Sequence, residues 1–380
     1  MQKANINLVH IAFAFYPYMN LGGVPRAVYD MVRAQREKYN IKVITNRVEE
    51  RIFESLYDVD VIYLKNLSRK MIYKYQFYTP LPERALFSAL KDAEILHFHG
   101  HRNLLNDISF YITRLFKKPY IITTHGTLHS YESKKLIKKI YDTFLGRRFV
   151  DNARFIVVHS DVERRKLISI GVDKNKIEVI PNGIFFEDMR EDMGDLSFFK
   201  KYKFDNRNRI ILFLGKITRR KGVETVVDAF RRIKDKDLRL IIAGEVLQRL
   251  PDSISRDSRI MYIGHLEQRE KVSAIISSEL LLYPSIYEAF GYVPFESLYL
   301  NRPCIVGDDF GTSEHLSKVV PELMVSYGDS IELAEHIIKF IYDKKYKDEV
   351  VKRGREYIIE HFSVDKMVRR YDEIYKRVLE

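Results

Sequence analysis

Cysteine is nearly absent from this chain: Cys304 is the only one among 380 residues. That excludes an internal disulfide and a cysteine metal cluster, and it fits a reducing compartment. Its setting, Pro303-Cys304-Ile305-Val306, reads as a small buried hydrophobe. Long hydrophobic runs are missing too, since no stretch reaches the roughly 18 apolar residues a membrane-spanning helix needs. The apolar run 6–15 behind Lys3 resembles a signal peptide only superficially. His10 interrupts it, Pro17 and Asn20 follow, and no small-residue cleavage site is present. Low-complexity tracts and Pro/Gly/Ser-rich linkers are also lacking, so disorder is expected only at the termini. These absences predict a soluble or peripheral protein in the cytoplasm.

What is there is ordinary globular composition, 46% hydrophobic and 31% charged, in a length that suggests two domains each able to bury a core. Short apolar runs alternate with helical patterns at 8–15, 41–45, 61–64, 95–98, 120–123 and 155–159. The alternation resumes at 210–214, 238–243, 260–263, 280–283 and 304–306. It predicts an α/β protein with parallel sheets covered by helices. The stretch 184–208 is polar and mixed and marks the junction. Met367, Tyr371, Ile374, Tyr375 and Val378 give the last segment, 364–379, a helical spacing.

The net charge of +12 predicts attraction to an acidic partner. Much of it lies at 134–148, where Ile137, Ile140, Tyr141, Phe144 and Leu145 form one stripe of a helix flanked by lysines. A second basic and aromatic segment covers 69–78. Both fit an anionic membrane surface, and the first also fits a domain helix with its stripe in the core and its lysines solvated.

The densest motif is Tyr283-Pro284-Ser285-Ile286-Tyr287-Glu288-Ala289-Phe290-Gly291-Tyr292-Val293-Pro294-Phe295-Glu296, which follows the apolar run 279–283. It couples a strand end, a glycine turn and a helix start, placing Glu288 in a loop where open α/β sheets bind ligands. Upstream lie Leu21-Gly22-Gly23-Val24-Pro25-Arg26, Val179-Ile180-Pro181-Asn182-Gly183 and Phe213-Leu214-Gly215-Lys216-Ile217-Thr218-Arg219-Arg220-Lys221-Gly222. Phe362-Ser363-Val364-Asp365 precedes the last helix. In this order, over nearly the whole chain, the motifs resemble the retaining, nucleotide-sugar-dependent GT-B glycosyltransferases marked by Glu, seven residues, Glu.

The resemblance implies two Rossmann-like domains facing a central cleft. Residues 1–181 would form the acceptor side, 182–361 the nucleotide-sugar domain, and the helix within 362–380 would return to the first domain. It implies that Lys216 and Lys221 meet the donor diphosphate, with Lys216 standing where the family usually has Arg and so lacking the bidentate fork. Gly22 and Gly23 would bring backbone amides to the donor phosphates. Glu288 would hold hydroxyls of the transferred sugar and Glu296 the ribose, while the amides of Ala289, Phe290, Gly291 and Tyr292 complete the pocket. Ala289 replaces a frequent Gly of the family. His125, in Thr123-Thr124-His125-Gly126, would hydrogen-bond near the reacting sugar.

No metal or other cofactor is expected. His97, His99, His101 and His129 lie close in sequence, but without cysteine or a carboxylate set they do not make a persuasive zinc site. The expected partners are a nucleotide-sugar donor and a glycan or lipid-linked acceptor; nucleic acid is not expected. The rival readings are a GT-B nucleotide-sugar epimerase or hydrolase and a noncatalytic basic protein binding nucleic acid or membrane.

Overall fold

The computed structural model describes residues 6–48, 55–67, 77–128, 141–196, 198–202, 204, 207–248, 250–309 and 311–380. Contacts divide the chain into two units. One comprises residues 1–184 together with 364–380, and the other comprises 185–363.

The first unit is built on an eight-stranded sheet in the order β3-β4-β2-β1-β5-β6-β7-β8. Its strands are β1 Asn7–Ala12, β2 Asn40–Asn46, β3 Ser55–Leu56, β4 Val59–Leu64, β5 Ile95–His99, β6 Tyr120–Thr123, β7 Phe155–Val158 and β8 Ile177–Val179. All pairings are parallel except the short β3 against β4. The helices α1 Gly23–Gln35, α2 Arg84–Asp92, α3 Leu104–Phe116, α4 Arg147–Asp151 and α5 Asp161–Ser169 carry the crossovers. One face of the sheet packs Val9, Ile11, Leu96 and Phe98 against Leu86 and Leu90 of α2 and Phe110 of α3. The central strands β1, β5, β6 and β7 are buried on both faces, as parallel sheets require.

The other face carries the C-terminal helix Val364–Leu379, whose Met367, Tyr371, Ile374, Tyr375 and Val378 are buried. Tyr375 Oη lies 2.7 Å from His97 Nδ1 on β5, and Tyr371 Oη lies 2.9 Å from Thr123 Oγ1 on β6. Lys38 Nζ and Tyr39 Oη both donate to Asp372, each at 2.7 Å. Burial of each apolar side chain contributes about 1.5–3 kcal/mol, so this helix is integral to the unit whose first strand lies at the opposite end of the chain.

The second unit holds six parallel strands in the order β11-β10-β9-β12-β13-β14. They are β9 Arg209–Leu214, β10 Leu238–Ala243, β11 Ile260–Tyr262, β12 Leu280–Tyr283, β13 Cys304–Gly307 and β14 Met324–Val325. Connecting helices are α6 Val223–Arg232, α7 Gln268–Ile276, α8 Tyr292–Tyr299 and α9 Gly311–Leu316, followed by α10 Ser330–Tyr342 and α11 Lys344–His361. Cys304 opens β13 and is wholly buried, as its apolar setting predicts.

Each sheet reverses direction once. From β1 the chain winds outward through β2 and β4, then restarts at β5 on the opposite side. From β9 it winds through β10 to β11, then restarts at β12. Loops at the carboxyl ends of β1 and β5, and of β9 and β12, therefore stand at topological switch points, where open α/β sheets leave room for a ligand.

Most of segment 69–78 and the portion 134–140 of the basic stripe lie outside the described residues. Of the rest, Tyr141 packs on His101 with ring centroids 5.6 Å apart and its hydroxyl meets Asp107. That much of the stripe serves the interior of the first unit.

Candidate active site

At the second unit's switch point, β9 leads into the loop 215–222 and β12 into 284–291. Gly222 takes a φ of 71°, and a Cβ there would stand 2.6 Å from the Pro284 carbonyl oxygen. The positive φ and the close approach both select glycine. The loops are stitched by Ile286 N–H donating to the Arg220 carbonyl at 3.0 Å and by Arg220 Nη2 donating to the Tyr287 carbonyl at 3.2 Å.

Lys221 is the centre of this arrangement. Its Nζ lies 2.5 Å from Glu288 Oε1 and donates to Tyr283 Oη at 2.7 Å, standing 4.6 Å from the centroid of the Tyr283 ring. Ser285 Oγ donates to the same Glu288 oxygen at 2.8 Å. Burial pushes the Glu288 carboxyl up, but the Lys221 ammonium and the Ser285 hydroxyl outweigh it and hold the group below its ordinary value. Burial, then the Glu288 charge, push the Tyr283 hydroxyl well above its own. The result is an ionised pair beside a protonated phenol.

Lys216 stands apart from that pair. Its ammonium faces Glu245, beyond β10, at 3.6 Å. Glu296 on α8 is wholly buried and its Oε1 accepts from Lys271 Nζ of α7 at 2.9 Å. Between the glutamates, Gly291 N–H donates to Thr312 Oγ1 at 2.9 Å, and Phe290 turns inward to stack on Phe295 at 4.5 Å. Ala289 and Glu288 remain partly accessible; Gly291 and Tyr292 are buried.

In the first unit, Gly22 caps α1 with a φ of 145° and Gly23 begins the helix. A Cβ at either would meet no atom within 4 Å, so backbone conformation, not crowding, selects glycine at position 22. His125 follows β6 with a φ of 48°, a strained value for a residue with a Cβ. The buried Glu163 carboxylate braces this turn, accepting from Thr124 Oγ1 at 2.5 Å, Gly126 N–H at 3.0 Å and His159 N–H at 3.1 Å. Both ring nitrogens of His125 are engaged, Nε2 by His99 at 3.1 Å and Nδ1 by His159 at 3.0 Å.

The structure brings Lys221 and Glu288 together; sequence reasoning missed Tyr283 and Ser285 beside that pair, Lys271 on Glu296, and Glu163, His99 and His159 around His125. Of these, His99 had a visible signal in the alternation of histidines along β5.

Comparison with known proteins bears on the same loops. Residues 196–357 match the family described as glycosyl transferases group 1, and residues 21–187 match glycosyltransferase family 4. The two matches fall on the second and first units respectively. The chain belongs to the group 1 glycosyltransferases. It is 26% identical over 305 residues to the capsular polysaccharide biosynthesis glycosyltransferase CapM of Staphylococcus aureus, covering 73% of this chain and 78% of that one. Among solved structures, Thermosynechococcus elongatus sucrose-phosphate synthase superposes with a TM-score of 0.75 at 18% identity, covering 98% of this chain and 99% of that one. Anabaena HepE in complex with UDP and glucose gives 0.79 at 17%, covering 98% and 100%. The fold is thus GT-B and the protein is an enzyme that transfers a glycosyl group. No helix among the described residues is long and apolar enough to cross a membrane.

Proposed function

We propose that this glycosyltransferase moves a sugar from a nucleoside diphosphate to a hydroxyl of a glycan or lipid-linked polysaccharide precursor, with retention of anomeric configuration and without a metal ion. The observation that carries the reading is the Lys221–Glu288 pair, seated with Tyr283 and Ser285 at the second unit's switch point. Donor complexes of the similar HepE, and the polysaccharide role in the name of CapM, support the substrate classes.

In this reading the acceptor oxygen bonds to the anomeric carbon as the bond from that carbon to the diphosphate oxygen breaks. The departing oxygen takes the acceptor proton on the same face of the sugar. Lys221 stabilises the negative charge that grows on the diphosphate, and its prior partner Glu288 turns to the sugar hydroxyls, still oriented by Ser285. Loop 215–222 also carries Lys216, Arg219 and Arg220, enough positive charge to serve where a divalent cation would otherwise stand. Glu296, fixed by Lys271, receives the ribose. Gly22 and Gly23 offer the α1 amides to phosphate, and His125 lies beside the reacting sugar.

The test is thermal unfolding of the wild type and Glu296→Ala with a panel of nucleoside diphosphates and nucleotide sugars. A ligand that binds only the folded state raises Tm. A selective rise, weakened by Glu296→Ala and unaffected by chelator, is expected. No rise with any nucleotide in folded protein defeats the donor reading, and an inverted product defeats retention.

A further inference from the structure

A row of imidazoles crosses the first unit at the carboxyl ends of neighbouring strands. His10 lies on β1, His99 ends β5, His125 follows β6 and His159 follows β7. The row stops at the carbonyl of Ile180, beyond β8. His10 Nδ1 is 2.9 Å from His99 Nε2, His99 Nδ1 is 3.1 Å from His125 Nε2, and His125 Nδ1 is 3.0 Å from His159 Nε2. His159 Nδ1 is 2.9 Å from the Ile180 oxygen. Every link runs in the same sense, from Nδ1 of one ring to Nε2 of the next.

The polarity follows from the end. A carbonyl only accepts, so His159 Nδ1 carries the proton. Burial disfavours the cation in all four rings, so a ring protonated at Nδ1 has a bare Nε2. Bare Nε2 on His159 obliges His125 to donate from Nδ1, and the same step repeats at His99 and His10. The opposite polarity would press a lone pair against the Ile180 oxygen.

We infer that His99 and His159 are positioning residues that lock His125 in its neutral Nδ1–H tautomer and, by engaging both of its nitrogens, fix the orientation of the ring. The link to catalysis rests on the placement of His125 beside the reacting sugar. The row also accounts for a cluster that resembles a metal site. Nitrogens of His10, His97 and His99 lie within 4.8 Å of one another, but His97 is already held by Tyr375 and Thr123 at 2.7 Å each, and the other two by the row.

The test is two-bond proton–nitrogen NMR of the full chain labelled with nitrogen-15 histidine, with rings assigned by single replacements, alongside kinetics. The four rings are expected to show Nδ1–H and bare Nε2. His159→Gln supplies an amide oxygen in place of the bare nitrogen and should keep the His125 signature and the wild-type kcat. His159→Leu removes that acceptor, and should release the His125 tautomer and lower kcat about ten-fold at little-changed donor KM, the worth of one hydrogen bond. An Nε2–H signature in any of the four rings overturns the lock, as does a zinc-induced shift of the His10, His97 and His99 signals. A released tautomer with unchanged kcat overturns the positioning role. Absence of any glycosyl transfer, with the signature intact, defeats the functional reading and leaves the tautomer row standing.

Discussion

Lys221 joins two groups that would be costly to leave alone, the Glu288 carboxylate and the Tyr283 hydroxyl. In the proposed reading Lys221→Ala removes the cation that faces the leaving diphosphate, and loss of a comparable preorganised group costs about 10²–10³ in kcat. Steady-state kinetics should show that loss, with Lys221→Arg recovering only part of it because the guanidinium fork does not reproduce the ammonium beside Tyr283. The pair also shapes acid stability. The Glu288 carboxyl is depressed below its ordinary 4.5, so its contribution is complete above that value and disappears as pH falls through the lower folded one. Glu288→Gln should therefore flatten the acid limb of the curve of Tm against pH. At this scale the sequence pointed to the candidate residues and concealed their supports. Lys221 and Glu288 sit in motifs with recognisable neighbours, whereas Lys271 meets Glu296 from a different helix and His159 meets His125 from a different strand, with nothing local to mark either.

Between elements, two glycine positions make opposite demands. Gly222→Ala puts a methyl 2.6 Å from the Pro284 oxygen in a left-handed backbone, so the loop bearing Lys221 must part from the loop bearing Glu288. About 1–3 kcal/mol of destabilisation is expected, read as a lowered Tm with weakened nucleotide binding. Gly23→Ala adds its methyl to open space at a helical position, so Tm should hold or rise while any loss falls on donor binding alone. The central strands were legible because each is a short apolar run buried on both faces. Runs at 120–123, 238–243 and 280–283 coincide with β6, β10 and β12. The edge strands β3, β8 and β14 were not, since their two or three residues form no isolated apolar run like the one that marked β11, and pairing with a neighbour already in place defines them. The π-helical turn Asp142–Gly146 was equally hidden, its stripe having predicted regular helix.

For the whole molecule, the path of the chain matters more than any one contact. The C-terminal helix completes the first unit, a placement the family resemblance implied, while the apolar spacing indicated only the helix. Tyr375→Phe deletes the hydroxyl that meets His97 Nδ1, leaving a buried imidazole nitrogen unsatisfied at a cost of about 1–3 kcal/mol. Calorimetry should register the change in the transition of the first unit, while nucleotide-induced stabilisation of the second persists.

Cys304 offers a stopwatch for that second unit. It is the chain's only thiol, sealed at the start of β13, and burial raises it well above its ordinary value, so the reactive thiolate is scarce while the sheet is closed. The rate at which a thiol reagent modifies the unaltered protein therefore counts openings of this half alone. Ligands that grip this half announce themselves by slowing the clock, without label, mutation or catalytic turnover.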